Sequence, residues 1–355
     1  MYNRLCFPYE DENSLQLFES INEIYDLMLD DISKEVYINR ILYSMTNNQL
    51  YAKNIILTTK SGFELERILT QAKGVYCYGA GIRGTRLVKM FPTVKWRAFV
   101  DQKCIVQHQS KLQIMNIEEL KNVYQADELV VISNLKDDIE IKNELISNGV
   151  SEEKIIVLNE LDKESGKNIY IDSDFVFKYV NDKTSFVDIG SFDGKDAINF
   201  KNAIRNFDAE LYAFEPNPIN YLKCKESLKK YSKSVVYNIG VGERATSFNM
   251  SGDGEMAHLS ECDNSIKVKV DTLDKLLDGK NVGFIKMDVE GFELACLKGA
   301  KKIITEQKPI IAASVYHKMS DIVNIPQILL LYNPNYKFYM RHYSVSCADT
   351  VLYAV

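Results

Sequence analysis

Acidic residues stand at the ends of apolar runs through the second half of the chain. Asp188 lies in 186–189, Glu215 follows 211–214, and Asp288, Glu290 and Glu293 follow 282–287. A further run, 309–315, ends on Tyr316, His317 and Lys318. Carboxylates and an imidazole gathered at one edge can grip hydroxyls, take up a proton or hold a cation. Between the first two acids lies Gly190-Ser191-Phe192-Asp193-Gly194, whose glycines suit a sharp turn and a close ligand. A G-x-G-x-x-G turn sets a helix N-terminus against a diphosphate. Here Asp188 and Asp193 flank the turn and would repel one. They suit a ligand with hydroxyls, an ammonium and a sulfonium, as in S-adenosylmethionine (SAM). An ordinary strand–turn–helix is the alternative.

These residues need a parallel sheet to position them. Phe186 to Ile189 reads as a buried strand, and Ala197, Ile198, Phe200, Ala203 and Ile204 as the helix after the turn. Glu215, before Pro216, sits roughly 20–30 residues past the turn, where a ribose diol is held in nucleotide-binding α/β folds. The third strand, 234–237, ends at Asn238 and Gly240, on the adenine side of such a pocket. Residues 248–270 read as an exposed hairpin or lid carrying His258. Two last strand-like runs, 336–341 and 350–355, are joined too closely for a parallel crossover. A parallel sheet with an antiparallel end is the layout of Rossmann-like methyltransferases more than of dehydrogenases.

The first half carries less chemistry. Residues 1–72 read as a helical arm, which could pack on the rest or pair two copies of the chain. Residues 73–162 alternate strands and helices as a second Rossmann-like domain. Gly79, Gly81, Gly84 and Asp101 match the dinucleotide fingerprint in order. They fit a nucleotide or nucleotide sugar, and equally a tight strand–helix contact. The segment resembles the Rossmann-like units preceding catalytic domains in some bacterial polysaccharide-modifying enzymes. The polar stretch near 162–168 marks the boundary, with 163–355 as the catalytic domain. At 355 residues the chain can hold two cores, and its net charge of −6 without a basic cluster argues against nucleic acid. The seven cysteines form no C-x-x-C pair, and no apolar run spans a bilayer. Reduced thiols and no signal segment give a cytoplasmic expectation.

From about Ser185 onward the chain resembles the FkbM family of SAM-dependent methyltransferases. The pieces that carry the resemblance are 187–194, Ala213-Phe-Glu-Pro-Asn217, Asn238-Ile-Gly240, Ile285-Lys-Met-Asp-Val-Glu-Gly-Phe-Glu293 and Leu297-Lys-Gly-Ala300. It implies O-methyl transfer, often to a sugar hydroxyl. Many members carry an acid near the fifth strand tip, where this chain has Ser314. SAM is then expected against Asp188, Gly190, Ser191, Phe192, Asp193, Gly194, Glu215, Pro216, Asn238, Gly240 and Asp288. A hydroxyl needs a base, and His317 is the first choice, with Glu290 or Asp288 second. His258, Tyr316, Lys318, Arg341 and His342 are expected to hold the acceptor, a small molecule or glycan that could be nucleotide-linked. No metal is expected, because the tip 314–317 offers no second carboxylate. Two other classes stay open: an NAD(P)-dependent oxidoreductase using Gly79 to Gly84, and a non-catalytic glycan- or nucleotide-binding module.

Overall fold

Short apolar runs bounded by glycine, proline or polar residues become the strands of separate sheets in the computed structural model of the protein. It describes residues 12–102, 112–166, 169–172, 174–251, 258–259 and 266–355. Four helices open the chain: α1 (Glu12–Asp26), α2 (Asp31–Thr46), α3 (Gln49–Leu57) and α4 (Lys60–Gln71). Then follow β1 (Val75–Tyr78), α5 (Ile82–Met90), β2 (Trp96–Val100), β3 (Ile114–Met115), α6 (Ile117–Val123), β4 (Leu129–Ile132), α7 (Asp138–Ser147), β5 (Ile155–Val157) and α8 (Leu158–Ser165). These strands form a five-stranded sheet in the order β3-β2-β1-β4-β5, parallel throughout. Successive side chains leave opposite faces of a strand. So Val75 and Cys77 join one core while Tyr76 and Tyr78 join another.

The chain divides into two compact units. One comprises Met1–Tyr37, Tyr170–Arg341 and Val351–Val355, the other Ile38–Ile169 and His342–Thr350. This differs from the boundaries expected at 72 and 162. Ala52 and Ile56 of α3 and Leu65 and Leu69 of α4 pack in the same core as Val75 and Phe99, so most of the arm belongs to the five-stranded unit. Its first part belongs to the other unit. Leu29 N–H donates to Phe338 O at 2.9 Å, and Phe338 N–H to Leu27 O at 3.0 Å. Helical periodicity marks an apolar face but not its partner.

That other unit, called unit 1 below, is built on β6 (Phe186–Ile189), α9 (Lys195–Ala203), β7 (Leu211–Phe214), α10 (Pro218–Leu228), β8 (Ser234–Tyr237), β9 (Gly240–Val241), β10 (Thr246–Ser251), β11 (His258–Leu259), β12 (Ile266–Asp271), α11 (Leu273–Leu276), β13 (Phe284–Met287), α12 (Glu293–Gly299), α13 (Lys301–Gln307), β14 (Ile310–Ser314), α14 (Asp321–Tyr332), β15 (Phe338–His342) and β16 (Thr350–Ala354). Seven strands order as β15-β16-β14-β13-β6-β7-β8. The five from β14 to β8 run parallel, and β16 runs antiparallel to β14. The chain leaves β6 towards β7 and β8, then returns to β13 on the other side. The carboxyl ends of β6 and β13 therefore flank a topological switch point, where open α/β sheets bind ligands. Phe186, Phe200 and Phe284 stack beneath it, with centroids 4.3–5.4 Å apart. The expected hairpin is present as β10 paired antiparallel with β12. Its tip, 252–257 and 260–265, with the proposed lid role, lies outside the described residues, as does the side chain of His258. No helix among the described residues is long and apolar enough to cross a membrane.

Candidate active site

The glycine turn after β6 is shaped by backbone, not only by a ligand. Gly190 has φ +79°, and a Cβ there would fall 2.0 Å from the carbonyl oxygen of Asp288. Any side chain would push the ends of β6 and β13 apart. Phe192, at φ 47°, and Gly194, at φ 81°, complete the turn, and Gly194 N–H donates to Ser191 O at 2.7 Å.

Beneath the turn lies a buried charge cluster that the sequence reading missed. Lys286, in the middle of β13, is 2% exposed. Its Nζ stands 3.0 Å from Asp188 Oδ1 and 3.2 Å from Asp196 Oδ2, and donates to Gly190 O at 2.9 Å. It also lies 5.1 Å from the centroid of the Tyr170 ring. Burial would lower the Lys286 pKa, but Asp188, Asp196 and Asp288 raise it overall above that of a free lysine. Asp188 is 0% exposed, and its Oδ1 pairs with Lys286, which in turn holds Gly190 O. A lone lysine inside an apolar strand was the available signal.

Glu215 is placed as a clamp. Its Oε2 accepts Phe192 N–H at 2.9 Å and its Oε1 accepts Asn217 N–H at 2.8 Å. Each oxygen retains a further lone pair for a hydroxyl. Burial pushes Glu215 up to about 7, against the pull of those two N–H groups. Asn238 braces the neighbouring tip, donating from Nδ2 to Glu215 O at 2.9 Å and Pro216 O at 3.0 Å. Asp193 pairs with the exposed Lys195 at 2.6 Å.

The ends of β13 and β14 converge on His317. Its Nδ1 lies 2.8 Å from Glu293 Oε1, which also accepts Val289 N–H at 3.1 Å. Its Nε2 lies 3.5 Å from both Asp288 Oδ1 and Glu290 Oε2. Burial would lower the His317 pKa, but Glu293 first, then Asp288 and Glu290, raise it overall. Tyr170 O–H donates to Asp288 Oδ2 at 2.7 Å and lies 3.2 Å from Ser314 Oγ. Tyr170 precedes the sheet in sequence, and no spacing links it to Asp288. Glu293 is wholly buried, and its Oε1 serves both the His317 ring and the Val289 backbone. The Tyr316 ring lies 4.1 Å from the His317 ring, and Lys318 Nζ donates to Gly291 O.

Arg341 and His342 are not at this edge in the way expected. Neighbouring residues of a strand face opposite sides, and along β15 burial alternates, with Arg341 half-buried and His342 buried. Arg341 binds Asp30 with both ends of its fork, at 3.1 and 2.6 Å. His342 Nδ1 lies 2.9 Å from Thr350 Oγ1 and Nε2 lies 2.9 Å from Ser346 O, and burial pulls its pKa down to about 3. Both side chains are thus engaged by partners within the protein.

In the five-stranded unit Gly79 and Gly84 of the fingerprint are tightly packed. A Cβ on Gly84 would fall 2.0 Å from Gly79 O, while Gly81 faces open space. Asp101 Oδ2 accepts Ala80 N–H at 2.9 Å, so the acid expected for a ribose closes its own turn.

Residues 188–338 match the model of the methyltransferase FkbM domain. The matched residues lie within unit 1. A solved methyltransferase FkbM from Methylobacillus flagellatus KT superposes with a TM-score of 0.50 at 16% identity, covering 96% of this chain and 100% of that one. The 2-O-methyltransferase NoeI of Sinorhizobium fredii is 26% identical over 34% of this chain, which spans 59% of that relative's length. Aeropyrum pernix fibrillarin, solved with natively bound SAM, is 10% identical over 50% of this chain and 69% of that one, with a TM-score of 0.33. The segment that matches the FkbM model encloses the β6 turn, Glu215 and the Asp288–His317 cluster.

Proposed function

We propose that the FkbM domain transfers a methyl group from SAM to a hydroxyl of a saccharide or nucleotide-linked sugar, as part of surface glycan synthesis in the cytoplasm. The observation that carries this reading is the sheet edge itself. A carboxylate with spare acceptor capacity, Glu215, stands beside a glycine turn, and an acid–imidazole cluster stands two strands away. The name of NoeI supports oxygen as the methylated atom. The residues fit the donor: Glu215 has lone pairs for a ribose diol, and Asn238 and Gly240 line the base side. When bound, SAM supplies an electrophilic methyl on a sulfonium.

The remaining work falls to the chain. Glu215 and the turn hold the donor, so that the acceptor oxygen can be aligned for in-line displacement, where much of the acceleration lies. His317, or Glu290 or Asp288, accepts the proton of the acceptor hydroxyl as its oxygen bonds to the methyl carbon and the methyl–sulfur bond breaks to leave SAH. Tyr316 and Lys318 flank them as acceptor contacts. The test is incubation of the full chain with SAM and a panel of nucleotide sugars and oligosaccharides, read by mass spectrometry for methylated product and S-adenosylhomocysteine (SAH). Product from a saccharide supports the reading. SAH binding with no transfer to any panel member would favour a non-catalytic binding module. For His317→Ala we expect turnover to fall at least about 100-fold, the usual scale for a proton-handling group, with SAH affinity kept.

A further inference from the structure

We propose that Asp288, Glu290 and His317 bind a divalent cation of the first transition row, which holds the acceptor's oxygens. This rests on the reading above only for placing the acceptor. One donor atom from each of Asp288, Glu293 and His317 lies within 4.8 Å of the others. Two further observations point to a ligand there. His317 has only 9% of its side chain exposed, yet Nε2 has no hydrogen-bond partner, and neither has Asp288 Oδ1. Those two atoms face each other at 3.5 Å, with Glu290 Oε2 at 3.5 Å from the same nitrogen. Two ligands about 2.1 Å from one ion at a tetrahedral angle are about 3.4 Å apart, so the spacing leaves room for an ion between them.

Both inner ligands are also oriented from behind. Glu293 accepts at His317 Nδ1, which directs the Nε2 lone pair forward, and Tyr170 O–H fixes Asp288 through Oδ2. A carboxylate behind a ligating imidazole is the usual outer support of a metal ligand. Charge argues the same way. Three carboxylates surround an imidazole that can carry one positive charge. Nearby Lys286 is committed to Asp188 and Asp196, and Lys318 to the Gly291 carbonyl. One imidazole with two carboxylates is a mixed set that suits Mn²⁺ or its neighbours better than Ca²⁺. The fifth strand tip, 314–317, has no carboxylate and supplies His317 as its ligand instead. A cation here would hold a sugar hydroxyl and favour its ionised form.

The experiment is electron paramagnetic resonance of Mn²⁺ titrated with the full chain, without SAM or acceptor. The expected result is loss of the sharp signal of aquated Mn²⁺ at one equivalent, weakened at least tenfold in His317→Gln. Glu290→Gln, at an exposed position, is the second variant should the first fail to fold, and should weaken binding several-fold. Mn²⁺ left free by folded protein, or bound equally by both variants, would overturn the proposal. SAH calorimetry on the same samples reports separately on the donor site.

Discussion

Lys286 sets the charge balance on which the donor turn depends. It pairs with the buried Asp188 and the half-buried Asp196 and reaches the carbonyl of Gly190. Removing one partner of a buried pair leaves the other uncompensated, at about 3–5 kcal/mol. Lys286→Met should cost that much in urea denaturation, and adding Asp188→Asn should recover most of it. No recovery would mean that the lysine acts through Gly190 instead. Glu215 gives a pH signature. Its pKa is raised by burial from 4.5 to about 7, so the folded chain keeps a proton that the unfolded chain has released in that window. Stability should therefore fall as pH rises from about 4.5 to about 7, by about 3 kcal/mol, and level off above. In Glu215→Gln that part of the slope should vanish from the thermal midpoint. Glu215→Ala should weaken SAH binding by about 1–3 kcal/mol, the range for hydrogen bonds to a charged group. Much of this site was legible in the sequence. Glycines between apolar runs located the turn, and acids at run ends located Glu215, Asp288 and the His317 edge. Lys286 and Tyr170 were not, because their roles depend on which strand lies beside β6 and on a segment folding back from before the sheet.

At the scale of elements, the N-terminal strand segment is held to β15 by few bonds. Leu29 and Leu27 exchange backbone hydrogen bonds with Phe338, and Arg341 clasps Asp30. Arg341→Ala should destabilise this edge by about 1–3 kcal/mol. Amide exchange should then speed up at Leu29 and Phe338 while β6 and β13 stay protected. Protection unchanged at Leu29 would show that helix packing, not the ion pair, holds the segment. Strands were the most legible elements, since runs at 186–189, 211–214 and 234–237 appear as β6, β7 and β8 with those limits. The helical arm was legible as helix but not as belonging to two units. The pairing of Arg341 with Asp30 joins residues far apart in sequence, so an arginine near the chain's end read as an acceptor contact.

At the scale of the molecule, two parallel sheets each carry a glycine turn after their first strand. In the five-stranded unit the turn is filled by its own groups: Asp101 on Ala80, and Gly84 against Gly79. In unit 1 the corresponding acid, Glu215, likewise accepts backbone N–H groups, of Phe192 and Asn217, but it stands beside the switch point. An adenosine ligand is therefore expected at the switch point of unit 1, and no nicotinamide ligand at the packed turn of Gly79 to Gly84. Calorimetry of the full chain with SAH and, separately, with NADH tests this most directly. The account predicts saturable SAH binding at one site per chain and no heat from NADH. NADH binding without SAH binding would contradict it and move the ligand site to the five-stranded unit.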